Sequence, residues 1–102
     1  MLLRLSMLIM PLAVLLSVAY AYSGDAFEVC RLDPNGDNFL ALRAGPGSSH
    51  AIIMKLGPGS VVEARGDPKG NWLAVVVESA NGKTYLRDLP SGFVYTKYLC
   101  SF

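Results

Sequence analysis

Turn-forming residues interrupt this chain at short, regular intervals from residue 24 onward. All ten glycines and five of the six prolines lie between Gly24 and Gly92, and the apolar runs between them are short. No long segment has the 3.6-residue periodicity of a helix. Short apolar runs separated by glycine, proline, asparagine and aspartate are typical of an all-β barrel or sandwich.

The apolar runs predict where the strands lie. Leu40 and Leu42 alternate on one face of a short strand, and the run Val75–Val77 predicts burial on both faces or at a covered edge. Asn81-Gly82 is the strongest hairpin signal, because a type I′ turn needs positive φ at both positions. The candidate strands are 27–32, 39–43, 51–56, 61–64, 72–78, 83–86 and 93–95, with one 3₁₀ turn over 96–98. We expect about five core strands plus an extra hairpin arm.

Residues 1–21 are predicted to be a signal peptide that precedes a single domain over residues 22–102. Arg4 is the only charged residue of this segment, an uncharged run follows it, and Ala19 and Ala21 are the small residues that a signal peptidase reads. We expect cleavage after Ala21. The alternative is an uncleaved membrane anchor, but the uncharged run covers about 16 residues, near or below the 17–25 that a spanning helix needs, and Pro11 interrupts it.

Charge and cysteine content narrow the classes of function. Beyond the leader, eight basic residues balance eight acidic residues, which argues against nucleic acid as a partner and gives no support for an anionic membrane surface. Cys30 and Cys100 are the only cysteines. An even count in a short exported chain predicts a disulfide, since a thiol metal site would need C-x-x-C spacing and more histidines. A periplasmic or secreted protein is therefore expected.

No motif in the chain predicts catalysis, a metal or a cofactor. The turn at 33–37 has Asn38 and Ala44 where an EF-hand loop needs glycine and glutamate. The two Gly-Pro-Gly-Ser segments lack the Gly-Lys-Ser/Thr ending of a phosphate loop. His50 follows two serines, but no acid is near to orient it, so a solvated loop histidine is favoured over a general base. We also expect no pair of acidic residues on a shared face.

Several short motifs, taken in order, give the chain its resemblance to a known family. The chain resembles the bacterial SH3-like domains of exported and cell-wall proteins, in a single-domain exported form framed by a terminal cysteine pair. The resemblance covers residues 29–100. The motifs that carry it are Leu40-Ala41-Leu42-Arg43-Ala44-Gly45-Pro46-Gly47, Leu56 with Gly59, Val61-Val62, Asn71-Trp72, Gly92-Phe93-Val94 and Tyr98-Leu99.

The resemblance implies a small SH3-like barrel and structural roles for several residues. Arg43 is expected to bond carbonyls of a neighbouring loop rather than a ligand. Gly45 is expected, together with Gly47, to give backbone freedom, and Pro46 to stiffen the same turn. The chain departs from the family where Phe93 replaces the usual tryptophan. It also departs in the longer stretch 79–91, which is a candidate for this protein's own specificity.

Aromatic residues are the remaining lead to a binding site. We expect Trp72 and Phe93 to lie in the core. By analogy with SH3 grooves, Tyr95 and Tyr98 form a shelf for an extended or proline-rich peptide, and Tyr85 is a further ligand-binding candidate. The alternative is that these tyrosine rings are partly buried with their hydroxyl groups in water.

Two binding functions follow from these features. The first is a non-catalytic module that binds peptidoglycan peptide or an extended protein segment, as the resemblance implies. The second is an inhibitor or immunity-type protein that blocks a partner enzyme, suggested by the small size, the disulfide and the long 79–91 stretch. The sequence leaves the ligand and the oligomeric state open.

Overall fold

The computed structural model describes residues 24–102, which form one antiparallel sheet of eight strands. The strands are β1 (Ala26–Val29), β2 (Leu40–Arg43), β3 (Ile52–Leu56), β4 (Val61–Ala64), β5 (Trp72–Ala80), β6 (Lys83–Thr84), β7 (Ser91–Tyr95) and β8 (Leu99–Ser101), with a 3₁₀ turn at Thr96–Tyr98. The predicted signal peptide, residues 1–21, and its cleavage site lie outside the described residues. Between residues 24 and 102, no helix is both long enough and apolar enough to cross a bilayer.

The sheet curls into a half-barrel whose strands run in the order β3-β2-β7-β5-β4-β1-β8, with β6 attached to β5. This architecture confirms the all-β, SH3-like prediction. All seven candidate strands form: 61–64 has the predicted bounds, and the other six differ at one or both ends by one to three residues. An eighth strand, β8, pairs with β1 through Val29↔Leu99 and Phe27↔Ser101.

The core consists of aliphatic side chains on the concave face of the sheet. Leu73, Val75 and Val77 alternate inward along β5, the long interior strand between β4 and β7. The other buried apolar residues are Val29, Leu40, Leu42, Leu56, Val62, Ala80, Val94 and Leu99. The prediction that Val75–Val77 is buried on both faces or at a covered edge is therefore wrong, since β5 is interior and Val76 faces outward, half-buried.

Trp72 and Phe93 do not belong to this core, which corrects the sequence-based expectation. Both are half-buried. The strand period of two explains their position: because Leu73 and Val94 point inward, their neighbours Trp72 and Phe93 point to the convex face. The buried interior is instead filled by leucine and valine.

The disulfide predicted between Cys30 and Cys100 is present, with a Cα–Cα distance of 5.9 Å. It lies where β1 ends beside β8, and the Cys30 amide also donates to the Tyr98 carbonyl at 3.0 Å. The crosslink thus joins two strands that already pair, and it closes most of the described chain into one loop.

Two turns show how local sequence specifies the fold. Asn81 and Gly82 have φ of 53° and 81°, which confirms the type I′ hairpin. The φ of Gly45 is not positive, so the expectation that this glycine is present for its backbone freedom is wrong. A Cβ at Gly45 would lie 2.5 Å from Nδ1 of His50, so this glycine is needed because the histidine ring packs against it.

Candidate functional site

Three aromatic rings lie in a row on the convex face, where β5, β7 and the 3₁₀ turn meet. Trp72 and Tyr95 are cross-strand partners with ring centroids 5.5 Å apart. Tyr98 continues the row at 6.1 Å from Tyr95. The row spans at most about 12 Å, the length of roughly four residues of polyproline II chain. We call the depression that these rings line the aromatic groove.

The aromatic groove is an open depression of about 780 Å³ with charged residues of both signs at its rim. Asp33 and Asp37 contribute negative charge, and Arg43 and Lys97 contribute positive charge. The remaining lining residues are Arg31, Leu32, Phe39, Leu40, Ala41, Ser48 and Ile52. Aromatic faces with a polar rim suit an extended peptide, which presents apolar side chains and hydrogen-bonding backbone together.

Arg31 lines the aromatic groove and bonds to the backbone beside Tyr98. Its Nη2 donates to the carbonyls of Lys97 at 2.8 Å and Leu99 at 2.9 Å, and its Nε donates to the Lys97 carbonyl at 3.0 Å. Its Nη1 also donates to Sγ of Cys100 at 3.2 Å. Since Lys97 and Leu99 flank Tyr98, this guanidinium holds the backbone on both sides of a groove tyrosine.

Arg43 lies at the edge of the groove and bonds to a loop carbonyl. Its Nη1 donates to the His50 carbonyl at 3.0 Å, across the turn that contains Gly45 and the exposed Pro46. In the sheet, Arg43 is opposite Phe93 on one side and Ile52 on the other. This bond joins β2 to a turn of the same domain, and Arg43 also lines the aromatic groove, so its structural role stays a prediction.

Tyr85 is not part of the aromatic groove. It lies after β6, with Nζ of Lys83 4.8 Å from its ring centroid, and it lines a different depression of about 770 Å³. Of the three tyrosines named from the sequence, the structure brings Tyr95 and Tyr98 together and leaves Tyr85 apart. All three rings are half-buried and pack partly against the core. Binding by any of them stays a prediction.

The second depression contains a pair of carboxyl groups, contrary to the expectation that no acidic residues share a face. Glu63 on β4 is opposite Val76 on β5, which places Glu63 and Glu78 on the same convex surface. Burial raises the pKa of Glu63 above its usual value, and the charge of Glu78 and a hydrogen bond that the protonated Glu63 donates to it raise that pKa further. The pair was missed because it depends on the register of two strands and on a bulge between them.

The turn at residues 33–37 has the geometry of an ordinary polar turn. The Asp33 side chain accepts from the Asn35 amide at 2.9 Å, and the Asp33 carbonyl accepts from the Gly36 amide at 3.1 Å. Over residues 24–102, no cluster of three or more His, Cys, Asp or Glu side chains could hold a metal ion.

Arg31, Phe39 and Lys97 also line the aromatic groove, although no sequence pattern predicted them as site residues. Arg31 could have been found, because a bond between Cys30 and Cys100 necessarily brings the next residue beside 97–99. Nζ of Lys55 lies 4.8 Å from the ring centroid of Phe39. This cross-strand contact could be predicted only from the β2–β3 register.

Comparison with known proteins gives one match. The model of the family described as bacterial SH3 domain matches residues 38–99, more than half of the chain and most of the sheet. No curated protein and no solved structure matches the chain.

Proposed function

The chain belongs to the bacterial SH3 domain family, and from this we propose that it is a non-catalytic, periplasmic or secreted module that binds cell-wall peptide or an extended protein segment. The family is one of binding domains. The disulfide indicates an oxidising compartment, in keeping with a role outside the cytoplasm.

One observation carries this proposal: the row of Trp72, Tyr95 and Tyr98 on the convex face. Aromatic side chains left half-exposed in a line are costly to hydrate, and they provide large, rigid contact areas for a ligand. The row is also held in place, since Thr96 donates its amide to the Asn71 carbonyl at 2.9 Å. A peptide can therefore bind there with little ordering of the protein.

Retention of the full protein on purified sacculi, compared with serum albumin, tests the proposal. We expect Tyr98→Ala to weaken retention at least about fivefold, because truncating an aromatic anchor at a binding site costs more than 1 kcal/mol. Phe27→Ala is the matched control: its ring is also half-buried and packs against the core, but it lines neither depression. Retention no greater than that of albumin, or equal loss in both variants, would contradict binding in the groove.

A second candidate function is inhibition of a partner enzyme, and it is favoured by one residue. Leu86 is 91% exposed in the loop that follows β6. A bulky apolar side chain that a loop bonded to the sheet holds in water is suited to insertion into a partner's cleft. Affinity capture from a periplasmic extract separates the two functions: one stoichiometric enzyme supports inhibition, and recovery of wall fragments alone rejects it.

A further inference from the structure

The depression beneath the loop after β6, here called the hairpin cleft, is nearly as large as the aromatic groove and lies apart from it. Its base is the convex surface of β4 and β5, and its wall is the segment 84–91. The lining residues are Glu63, Arg65, Val76, Glu78, Thr84, Tyr85, Leu86, Asp88, Leu89 and Ser91. No residue lines both depressions.

The wall of the hairpin cleft is attached to the sheet at both of its ends. The Tyr85 amide donates to the Glu78 carbonyl at 2.8 Å, and the Val77 amide donates to the Pro90 carbonyl at 2.8 Å. Asp88 between them has a φ of 52°, a left-handed conformation that is uncommon outside glycine. Leu86 is therefore exposed on a loop whose two ends are bonded to the sheet.

The hairpin cleft combines negative charge with apolar surface. Three carboxyl groups, those of Glu63, Glu78 and Asp88, line it against one cation, Arg65. Glu63 and Glu78 lie on neighbouring strands of this surface, so their charges repel each other when both are ionised. Leu86 and Leu89 lie next to them along the wall. A positive charge from outside would relieve the repulsion, and an apolar neighbour of that charge would cover Leu86.

We propose that the hairpin cleft is a second docking surface, whose occupant is a protein segment that carries a lysine or arginine beside a bulky apolar side chain. Charge complementarity selects the basic residue, because the cleft has a net negative charge. A divalent cation is disfavoured, since the described residues hold no cluster of three metal-ligating side chains. The proposal does not rest on the aromatic groove.

Titration of the isotope-labelled full protein with two peptides, followed by NMR of the backbone amides, tests the proposal. The probes are acetyl-Gly-Leu-Lys-Leu-Gly-amide and the same peptide with glutamate in place of lysine. We expect the lysine peptide at millimolar concentration to give saturable shifts over residues 63–65, 76–78 and 84–89. We expect the glutamate peptide to leave these amides unchanged.

Variants with matched controls separate charge from apolar contact. Glu78→Gln is expected to weaken binding of the lysine peptide about threefold to tenfold, and Glu28→Gln, an exposed glutamate on β1, is expected to leave it unchanged. Leu86→Gln is expected to weaken binding, whereas Ile53→Gln is not, although Ile53 is 54% exposed on the edge strand β3.

Several outcomes would overturn the proposal. They are equal shifts with both peptides, shifts confined to the aromatic groove, no shifts at all, or variants that bind like wild type. Shifts that instead depend on the concentration of the protein alone would assign the cleft to a second copy of the chain. Failure of this experiment leaves retention on sacculi unaffected, because Glu78 and Leu86 lie outside the aromatic groove.

Discussion

Replacement of both cysteines by serine should lower the free energy of unfolding by about 4 kcal/mol. The crosslink spans 70 residues. In the chain-entropy model, closing a loop of that length raises the free energy of the unfolded chain by roughly 4 kcal/mol. The folded state should change little, because β1 and β8 pair directly beside the crosslink. Arg31 can donate to the serine hydroxyl at position 100 as it does to Sγ of Cys100.

The expected loss of stability is large compared with the total free energy of unfolding of such a domain. A domain of this length has a total stability of roughly 4–12 kcal/mol, so the Cys30→Ser/Cys100→Ser variant should lie between marginal stability and about 8 kcal/mol. Urea unfolding followed by circular dichroism measures the change. We expect a lower midpoint and a larger m value, since an unfolded chain without the crosslink exposes more surface.

Wild type unfolded in the presence of a dithiol reductant is the control for the serine variant. Chain entropy predicts the same loss of stability in both, because both lack the same covalent link. The reasoning is refuted if the double variant unfolds within about 1 kcal/mol of oxidised wild type, or if reduction and substitution give clearly different losses.

Three further changes probe the turns and the carboxyl pair. Asn81→Gly should keep the turn but lose two side-chain hydrogen bonds, lowering stability by roughly 1–3 kcal/mol in urea unfolding; an unchanged midpoint contradicts this. Gly45→Ala should cost about 1–3 kcal/mol through its clash with the ring of His50, and His50→Ala should restore most of the loss; no rescue would reject the clash. Glu63→Gln should stabilise the fold at neutral pH by roughly 0.2–1 kcal/mol. Burial and Glu78 raise the pKa of Glu63 in the folded state. Ionisation of Glu63 therefore disfavours folding once the pH rises above the pKa of this group in the unfolded chain, and the gain from Glu63→Gln should vanish in acid. A gain that persists in acid contradicts this explanation.

The parts of the fold that depend on local chemistry could be predicted from the sequence. Asn81-Gly82 specifies its turn through φ preferences alone, and the alternation of Leu40 and Leu42 specifies which face of β2 is buried. Cys30 and Cys100 could pair only with each other. Each of these features needs no knowledge of what lies across the sheet.

The parts that depend on strand register could not be predicted in this way. The Glu63–Glu78 pair needs the β4–β5 alignment and its bulge. Tyr85 resembles Tyr98 in type and burial, but it lines another depression because its arm pairs with the end of β5 at Ser79 and Ala80, whereas β7 pairs with residues 72–76. The error over Trp72 had a different cause: size was used to choose core residues, although the alternation of Leu73, Val75 and Val77 already pointed Trp72 outward.

The outward orientation of Trp72 gives the protein a built-in optical reporter. The chain has one tryptophan, and its indole lies in the aromatic groove beside Tyr95. Its emission therefore comes from a single environment, which changes when water at that surface is replaced by a bound molecule. A ligand of the groove should shift the emission to shorter wavelength, whereas an occupant of the hairpin cleft should leave the spectrum as it was.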